Sequence, residues 1–151
     1  MRTVIQRVRT GAVEVDGERL CEIGPGMVLL IGVEGGDTEA DLEWLAAKVA
    51  GLRIFDDENG VMNRSVNDLP ELGIIAVSQF TLTASTRKGN RPSYIRAERP
   101  EAASGMYDRF CGRLEQLTGR TVGRGRFGAD MAVSLVNDGP VTIIIDSRLR
   151  E

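Results

Sequence analysis

Val4, Ile5 and Val8 alternate with Gln6, Arg7 and Arg9, which predicts a half-buried strand over residues 2–9. A second strand is expected over 12–15, joined to the first near Gly11. Asp16-Gly17 has the composition of a two-residue hairpin turn leading into a strand at 19–23. Gly24-Pro25-Gly26 breaks the chain, and the apolar run Met27 to Val33 then predicts a strand buried on both faces. Asp37 or Thr38 caps a predicted helix over 38–51, with Leu42, Leu45, Ala46 and Val49 on one stripe. Arg53-Ile54-Phe55 reads as a short strand and Asp56 to Gly60 as a solvated turn.

Residues 73–79 predict another apolar strand, running on into Phe80-Thr81-Leu82 with Leu82 in the core. The stretch 84–99 is basic and loop-like. Pro100 suits a helix start, and the pattern of Met106, Phe110 and Leu114 carries that helix to about Leu117. Met131 to Val136 and Val141 to Asp146 read as two strands around Gly139-Pro140. Strands interleaved with two helices, and hairpins at both ends, predict an α+β fold. The expected architecture is one compact domain over 1–151, on a mixed sheet.

Composition agrees with a globular domain: 42% of residues are hydrophobic and 27% charged, and 151 residues suffice for one core. No apolar run reaches the ~18 residues that span a bilayer, and the opening pattern is that of a strand rather than a signal peptide. A cytoplasmic protein without a membrane partner is expected. Cys21 and Cys111 lie far apart and in no metal-ligand spacing, so both are read as buried, reduced thiols. Met27, Met106 and Met131 are read as core.

The chain contains no histidine. This excludes Ser-His triads, Cys-His pairs and His-ligated zinc, and leaves chemistry resting on backbone dipoles, hydroxyls and the substrate itself. Neither a metal nor a cofactor is expected. The net charge of −3 conceals an asymmetry, because residues 87–126 hold ten Arg or Lys against four acids. That stretch is either a solvated face or a footprint for a phosphate-bearing partner.

Two segments place polar groups where an apolar strand ends. In Ser78-Gln79-Phe80-Thr81-Leu82, the side chains either satisfy backbone at a sheet edge or form a pocket floor. In the second case the amides of Phe80 and Thr81 face a developing oxyanion. In Asn137-Asp138-Gly139-Pro140-Val141-Thr142, Asp138-Gly139 resembles a hairpin turn, but Pro140 removes a donor where a return strand would begin. The alternatives are a plain trans turn and a rigid loop that presents carbonyls to a ligand. Gly123 to Gly128 lacks the Lys-Ser/Thr of a phosphate loop and reads as a flexible basic loop. Asp56 to Gly60 lacks the spacing of a calcium loop.

In combination these segments resemble the D-aminoacyl-tRNA deacylases, over essentially the whole chain. The resemblance runs through Ile5-Gln6-Arg7-Val8, Ile23-Gly24-x-Gly26, Gly32-Val33-Glu34, Arg53-Ile54-Phe55, Met62-Asn63 and Ser78 to Leu82. It continues through Arg91-Pro92-Ser93, Arg126-Phe127-x-Ala129-Asp130-Met131 and Ser134 to Thr142. It implies the deacylase fold with a mixed/antiparallel, barrel-like sheet, a homodimer and a cis Gly139-Pro140 peptide that enters the partner's pocket beside Ser78 to Leu82. The carbonyls flanking that peptide would exclude an L side chain while tolerating D-amino acids and glycine, the latter mischarged on tRNA(Ala). The implied partner is the 3′-terminal aminoacyl-adenosine of D-aminoacyl-tRNA, not DNA.

Thr81 matches the hydroxyl considered as nucleophile, but with no base to activate it, water assisted by the substrate's 2′-hydroxyl is the expected attacker. Phe80 and Thr81 would then act through their amides, with Ser78, Gln79, Leu82 and Arg7 binding substrate. The alternatives are a non-catalytic tRNA-binding module and a hydrolase of small esters.

Overall fold

In the computed structural model, which describes residues 1–150, the organising element is β1 (Arg2–Val15). One edge of β1 pairs antiparallel with β8 (Ala132–Asp146) along nearly its whole length. The other edge pairs first with β3 (Gly26–Gly32) and then with β2 (Glu18–Ile23). The predicted break at Gly11 is absent, because the strand passes through it from one partner to the other. A Cβ at Gly11 would lie 2.8 Å from Val28 Cγ2, so glycine is what lets β1 pack there without interruption. The Asp16-Gly17 turn forms as expected, with both residues at positive φ (51° and 79°).

Parallel to β3 runs β6 (Gly73–Ser78), and parallel to β6 runs the two-residue β7 (Gly123–Arg124). Gly123-Arg124 is therefore a sheet element and not the flexible loop expected from its glycines. Cys21 Sγ lies 3.6 Å from the Arg124 carbonyl, which brings β2 against β7 and nearly closes the mixed sheet into a barrel. Outside it, β4 (Phe55–Asp56) and β5 (Met62–Arg64) form a small hairpin around the expected solvated turn.

α1 (Glu39–Ala50) is capped by Thr38, whose amide and hydroxyl both donate to the Asp41 carboxylate at 2.8 Å. α2 (Pro100–Thr118) starts on its proline and stops at Gly119, which takes φ 66°. Leu42, Leu45 and Val49 of α1 meet Phe110 and Leu114 of α2 over Met27, Leu29 and Ile31 of β3. Val28 on the opposite face of β3 joins Val8, Val13, Ile75 and Val77 inside the barrel, so β3 is buried on both faces as predicted. Truncating a fully buried ring such as Phe110 to Ala costs about 3–5 kcal/mol in such a core. Met27 and Met106 are core, Met131 is half-buried, Cys111 is buried and Cys21 only partly so. No helix among the described residues is long and apolar enough to cross a membrane.

Two expectations are corrected. The strand at 73–79 does not continue through Phe80-Thr81-Leu82. It ends at Ser78, and Phe80–Thr83 is a 3₁₀ turn. Its neighbour β3 stops at Gly32, and after the Gln79 amide bonds the Ile31 carbonyl at 2.7 Å no strand remains to pair with. Nor do the segments flanking Gly139-Pro140 form a hairpin. Both pair with β1, Asn137 opposite Val8 and Thr142 opposite Gln6, so four residues (138–141) bulge out opposite Arg7.

Candidate active site

The tight turn after β6 forms one wall of a cavity of about 660 Å³, within the usual range for a small-molecule site. Ser78, Gln79 and Phe80 supply this wall, and Val77, Val133, Tyr94, Pro100, Tyr107 and Phe127 contribute apolar lining elsewhere. The Phe80 ring is 56% exposed and meets Tyr94 edge to face at 5.0 Å between centroids.

Close approach of backbone holds the turn in place. A Cβ on Gly32 would come within 3.0 Å of Leu82 Cβ and 3.2 Å of the Gln79 carbonyl, so glycine at the end of β3 lets the turn lie this close without shifting. The Arg2 guanidinium donates to the Leu82 carbonyl at 2.8 Å, and the Thr83 hydroxyl to the Phe80 carbonyl at 2.8 Å. Gln79 Nε2 donates to the Thr81 hydroxyl oxygen. The first amides of a helical turn, here those of Phe80 and Thr81, have no partner within the turn itself.

The polar groups around the cavity match the absence of histidine. Its charged lining residues are Glu98, Arg99 and Asp130. Burial pushes the Tyr107 hydroxyl well above its ordinary range, with Cys111 adding to the effect, and that hydroxyl donates to the Ala76 carbonyl at 2.8 Å. Burial likewise raises the Cys111 thiol to about 11, so neither group ionises near neutrality. Among the described residues no three His, Cys, Asp or Glu side chains gather as metal ligands.

Thr81 and Leu82 line a second depression, shared with Arg2, Val4, Ile144 and Leu149. Leu82 is only half-buried, at the rim rather than in the core. Arg7, Gly139 and Pro140 form a separate constellation. The Gly139–Pro140 peptide is cis. Arg7 is 9% exposed and its Nε donates to the Asp138 carbonyl at 2.9 Å, while Nη1 reaches the Ile54 carbonyl at 2.8 Å. The bulge is closed at its base by the Val141 amide, which donates to Asn137 Oδ1 at 2.8 Å. The Asn137 side-chain Nδ2 and the Thr142 hydroxyl both donate to Gln6 Oε1. At Gly139 (φ 134°) a Cβ would lie 2.9 Å from Val141 Cγ2 and 3.2 Å from Arg7 Nη2. Gly139 and Pro140 themselves are exposed and line neither cavity.

The sequence of this chain fits one known family. A sequence model of D-Tyr-tRNA(Tyr) deacylase matches residues 4–146. The chain belongs to the D-Tyr-tRNA(Tyr) deacylase family. It is 56% identical over 153 residues to a D-aminoacyl-tRNA deacylase of Parabacteroides distasonis, with all of both chains covered. A protein of the same name from Flavobacterium johnsoniae is 52% identical over 151 residues, again with full coverage. Among solved structures, the c-Myc DNA Unwinding Element Binding Protein superposes with a TM-score of 0.91 at 40% identity, covering 97% of this chain and 98% of that one. A probable eukaryotic D-amino acid tRNA deacylase shares the fold, with a TM-score of 0.81 at 18% identity over 95% and 97% of the two chains. Membership of the deacylase family makes the chain a hydrolase of carboxylic ester bonds.

Sequence reasoning pointed to Ser78, Gln79 and Phe80 but passed over Tyr94 and Phe127 as cavity walls. With aromatic residues only 5% of the chain, their position beside basic stretches was the available signal.

Proposed function

We propose that the protein hydrolyses the ester joining a D-amino acid to the 3′-terminal adenosine of tRNA, in the cytoplasm and as a homodimer. The observation that carries this reading is the turn at Phe80–Thr83, which follows Ser78 and Gln79 and whose first residue, Phe80, lies with them on the wall of an apolar cavity of nucleoside size. The exposed Phe80 and Tyr94 rings offer a nucleobase a stacking surface at that wall.

Water adds to the ester carbonyl and gives up a proton, the C–O3′ bond breaks, and the 3′-oxygen leaves as a hydroxyl. The substrate's 2′-hydroxyl assists the proton transfer. The amides of Phe80 and Thr81 receive the charge of the tetrahedral oxyanion, and Ser78 and Gln79 orient the ester. The Thr81 hydroxyl is not the nucleophile in this scheme, since it accepts from Gln79 and has no basic neighbour with which to shed its proton.

Gly139 and Pro140 act in the partner's site, where the carbonyls flanking their peptide leave no room for an L side chain. D-amino acids pass, and so does glycine mischarged on tRNA(Ala), because a carbonyl wall rejects a shape without reading side-chain identity. Exposure of both residues outside their own protomer's cavities favours this placement. So does the unpaired outer edge of β8 with Val136 and Ile144 exposed, an edge that a second copy can cover. The ligand is charged tRNA rather than DNA.

Turnover of D-aminoacyl-tRNA by the purified protein tests the reading, together with the same substrate bearing a 2′-deoxy terminal adenosine. Release from the first and at least a hundredfold slower release from the second is expected. Tight binding of both with release from neither would indicate a non-catalytic tRNA-binding module.

A further inference from the structure

Seven of the ten cations between residues 87 and 126 form two groups of different character. On α2 and beyond it, the arginines are held by the fold. Arg109 pairs with Glu39 at 3.2 Å, Arg113 with Glu43 at 2.8 Å and Arg124 with Glu115 at 3.1 Å. Arg120 instead donates to the carbonyls of Val66, Leu69 and Leu72. These cations tie α2 to α1 and to the loop before β6. They are structural.

Arg87, Lys88 and Arg91 are different. All three are exposed, and none has an acidic partner among the described residues. They lie on a projecting tip whose base is closed by Ser85 and Ser93, each amide donating to the other's carbonyl at 2.9 Å. Below that clasp the loop is fastened to the end of β3. The Gly35 amide donates to the Arg96 carbonyl at 2.8 Å, and the Arg96 guanidinium to the Thr83 carbonyl at 3.1 Å. The clasp runs directly into Tyr94, which lines the cavity against Phe80. Three residues of chain reach at most about 10 Å, so Arg91 stands within that distance of the cavity wall.

We infer that this tip is a phosphate clamp for the RNA strand that carries the aminoacyl group. With the terminal nucleoside in the cavity, the next phosphates toward the 5′ side leave past Tyr94 and meet Arg87, Lys88 and Arg91. The contact is to the sugar-phosphate backbone, since three exposed cations clustered on one tip match the charge that every phosphate carries, whatever the base. One clamp therefore serves every charged tRNA, in keeping with a cavity that does not read the amino-acid side chain. The clamp adds affinity for the polynucleotide without touching the reacting ester.

This inference rests on the deacylase reading, and the experiment separates the two. Steady-state hydrolysis is measured on D-tyrosyl-tRNA and on the short ester D-tyrosyl-adenosine, each between 50 and 200 mM salt. Wild type is compared with Arg87→Ala/Lys88→Ala/Arg91→Ala and with Arg109→Ala/Arg113→Ala. Three lost phosphate contacts lower the slope of log KM against log salt by about 2.1–2.7. The rise in KM for the tRNA over that salt range therefore shrinks by about 20- to 40-fold in the triple variant. Its kcat/KM on the short ester stays at the wild-type value, and the α2 variant keeps the wild-type salt slope. A triple variant with the wild-type salt slope on tRNA, or an α2 variant that loses it, overturns the clamp. A wild-type protein that hydrolyses neither substrate overturns the deacylase reading instead.

Discussion

Arg7 Nε donates to the Asp138 carbonyl at 2.9 Å, so a guanidinium on β1 holds the base of the bulge that presents Gly139 and Pro140. The same side chain reaches the Ile54 carbonyl at 2.8 Å and the Asp56 carboxylate at 3.2 Å. A planar fork makes these contacts from one position, and a lysine ammonium does not reproduce them.

The Arg7→Lys variant is expected to lose about 2 kcal/mol of stability, the scale of one or two charge-assisted hydrogen bonds. Its preference for D- over L-aminoacyl-tRNA should fall at least tenfold as the bulge loosens. Thermal unfolding and paired rates on the two enantiomers check both effects. Wild-type selectivity in the folded variant would remove Arg7 from substrate discrimination.

Gly32→Ala probes the turn. The added methyl group meets Leu82 Cβ at 3.0 Å and the Gln79 carbonyl at 3.2 Å, so the turn must shift by a few tenths of an ångström. Overpacking of this kind costs about 1–3 kcal/mol. Turnover should drop by about ten- to a hundredfold, because the Phe80 and Thr81 amides move with the turn. Comparing kcat with the unfolding midpoint distinguishes this from general destabilisation.

Thr81→Ala removes the hydroxyl that accepts from Gln79 and leaves the Thr81 amide in place. The variant should keep activity within about tenfold of wild type, since the proposed mechanism assigns the oxyanion to the amide and not to the hydroxyl. Abolished turnover in a folded variant that still binds substrate would make the hydroxyl the nucleophile.

Asp41 gives the fold an acid limit. Burial works to raise its pKa. The Thr38 amide and hydroxyl, with help from Ser147, overcome that and hold the carboxyl at about 2 against an ordinary 3.8. A depressed folded-state value means the stabilisation is complete above about pH 4 and lost as pH falls through 2. Asp41→Asn should be less stable at pH 7 and lose less further stability between pH 4 and 2. Urea midpoints across that range give the comparison, and parallel curves for variant and wild type would contradict it.

Residues governed by local rules were legible in the sequence. Thr38, Pro100, the Asp16-Gly17 turn and the doubly buried β3 all follow from capping, turn and burial patterns that act over a few positions. What was not legible depended on partners distant in sequence. The continuity of β1 through Gly11 depends on Val28, and the 3₁₀ turn at Phe80 on the end of β3 at Gly32. The bulge at 138–141 forms because both halves of β8 find the same strand, whereas local composition suggested a hairpin. At the site, Ser78 to Phe80 stood out as polar or exposed residues ending an apolar strand. Tyr94 and Phe127 did not, because their role comes from the cavity they meet across. The charge excess at 87–126 was visible as a sum, and only the ion pairs of α2 reveal which part is free.

The central claim is stereospecific ester hydrolysis, and release of tyrosine from matched D- and L-tyrosyl-tRNA, with chelator present, tests it most directly. Rapid release from the D-ester with the L-ester untouched is the expected result. Equal release from both, or none from either, would contradict it.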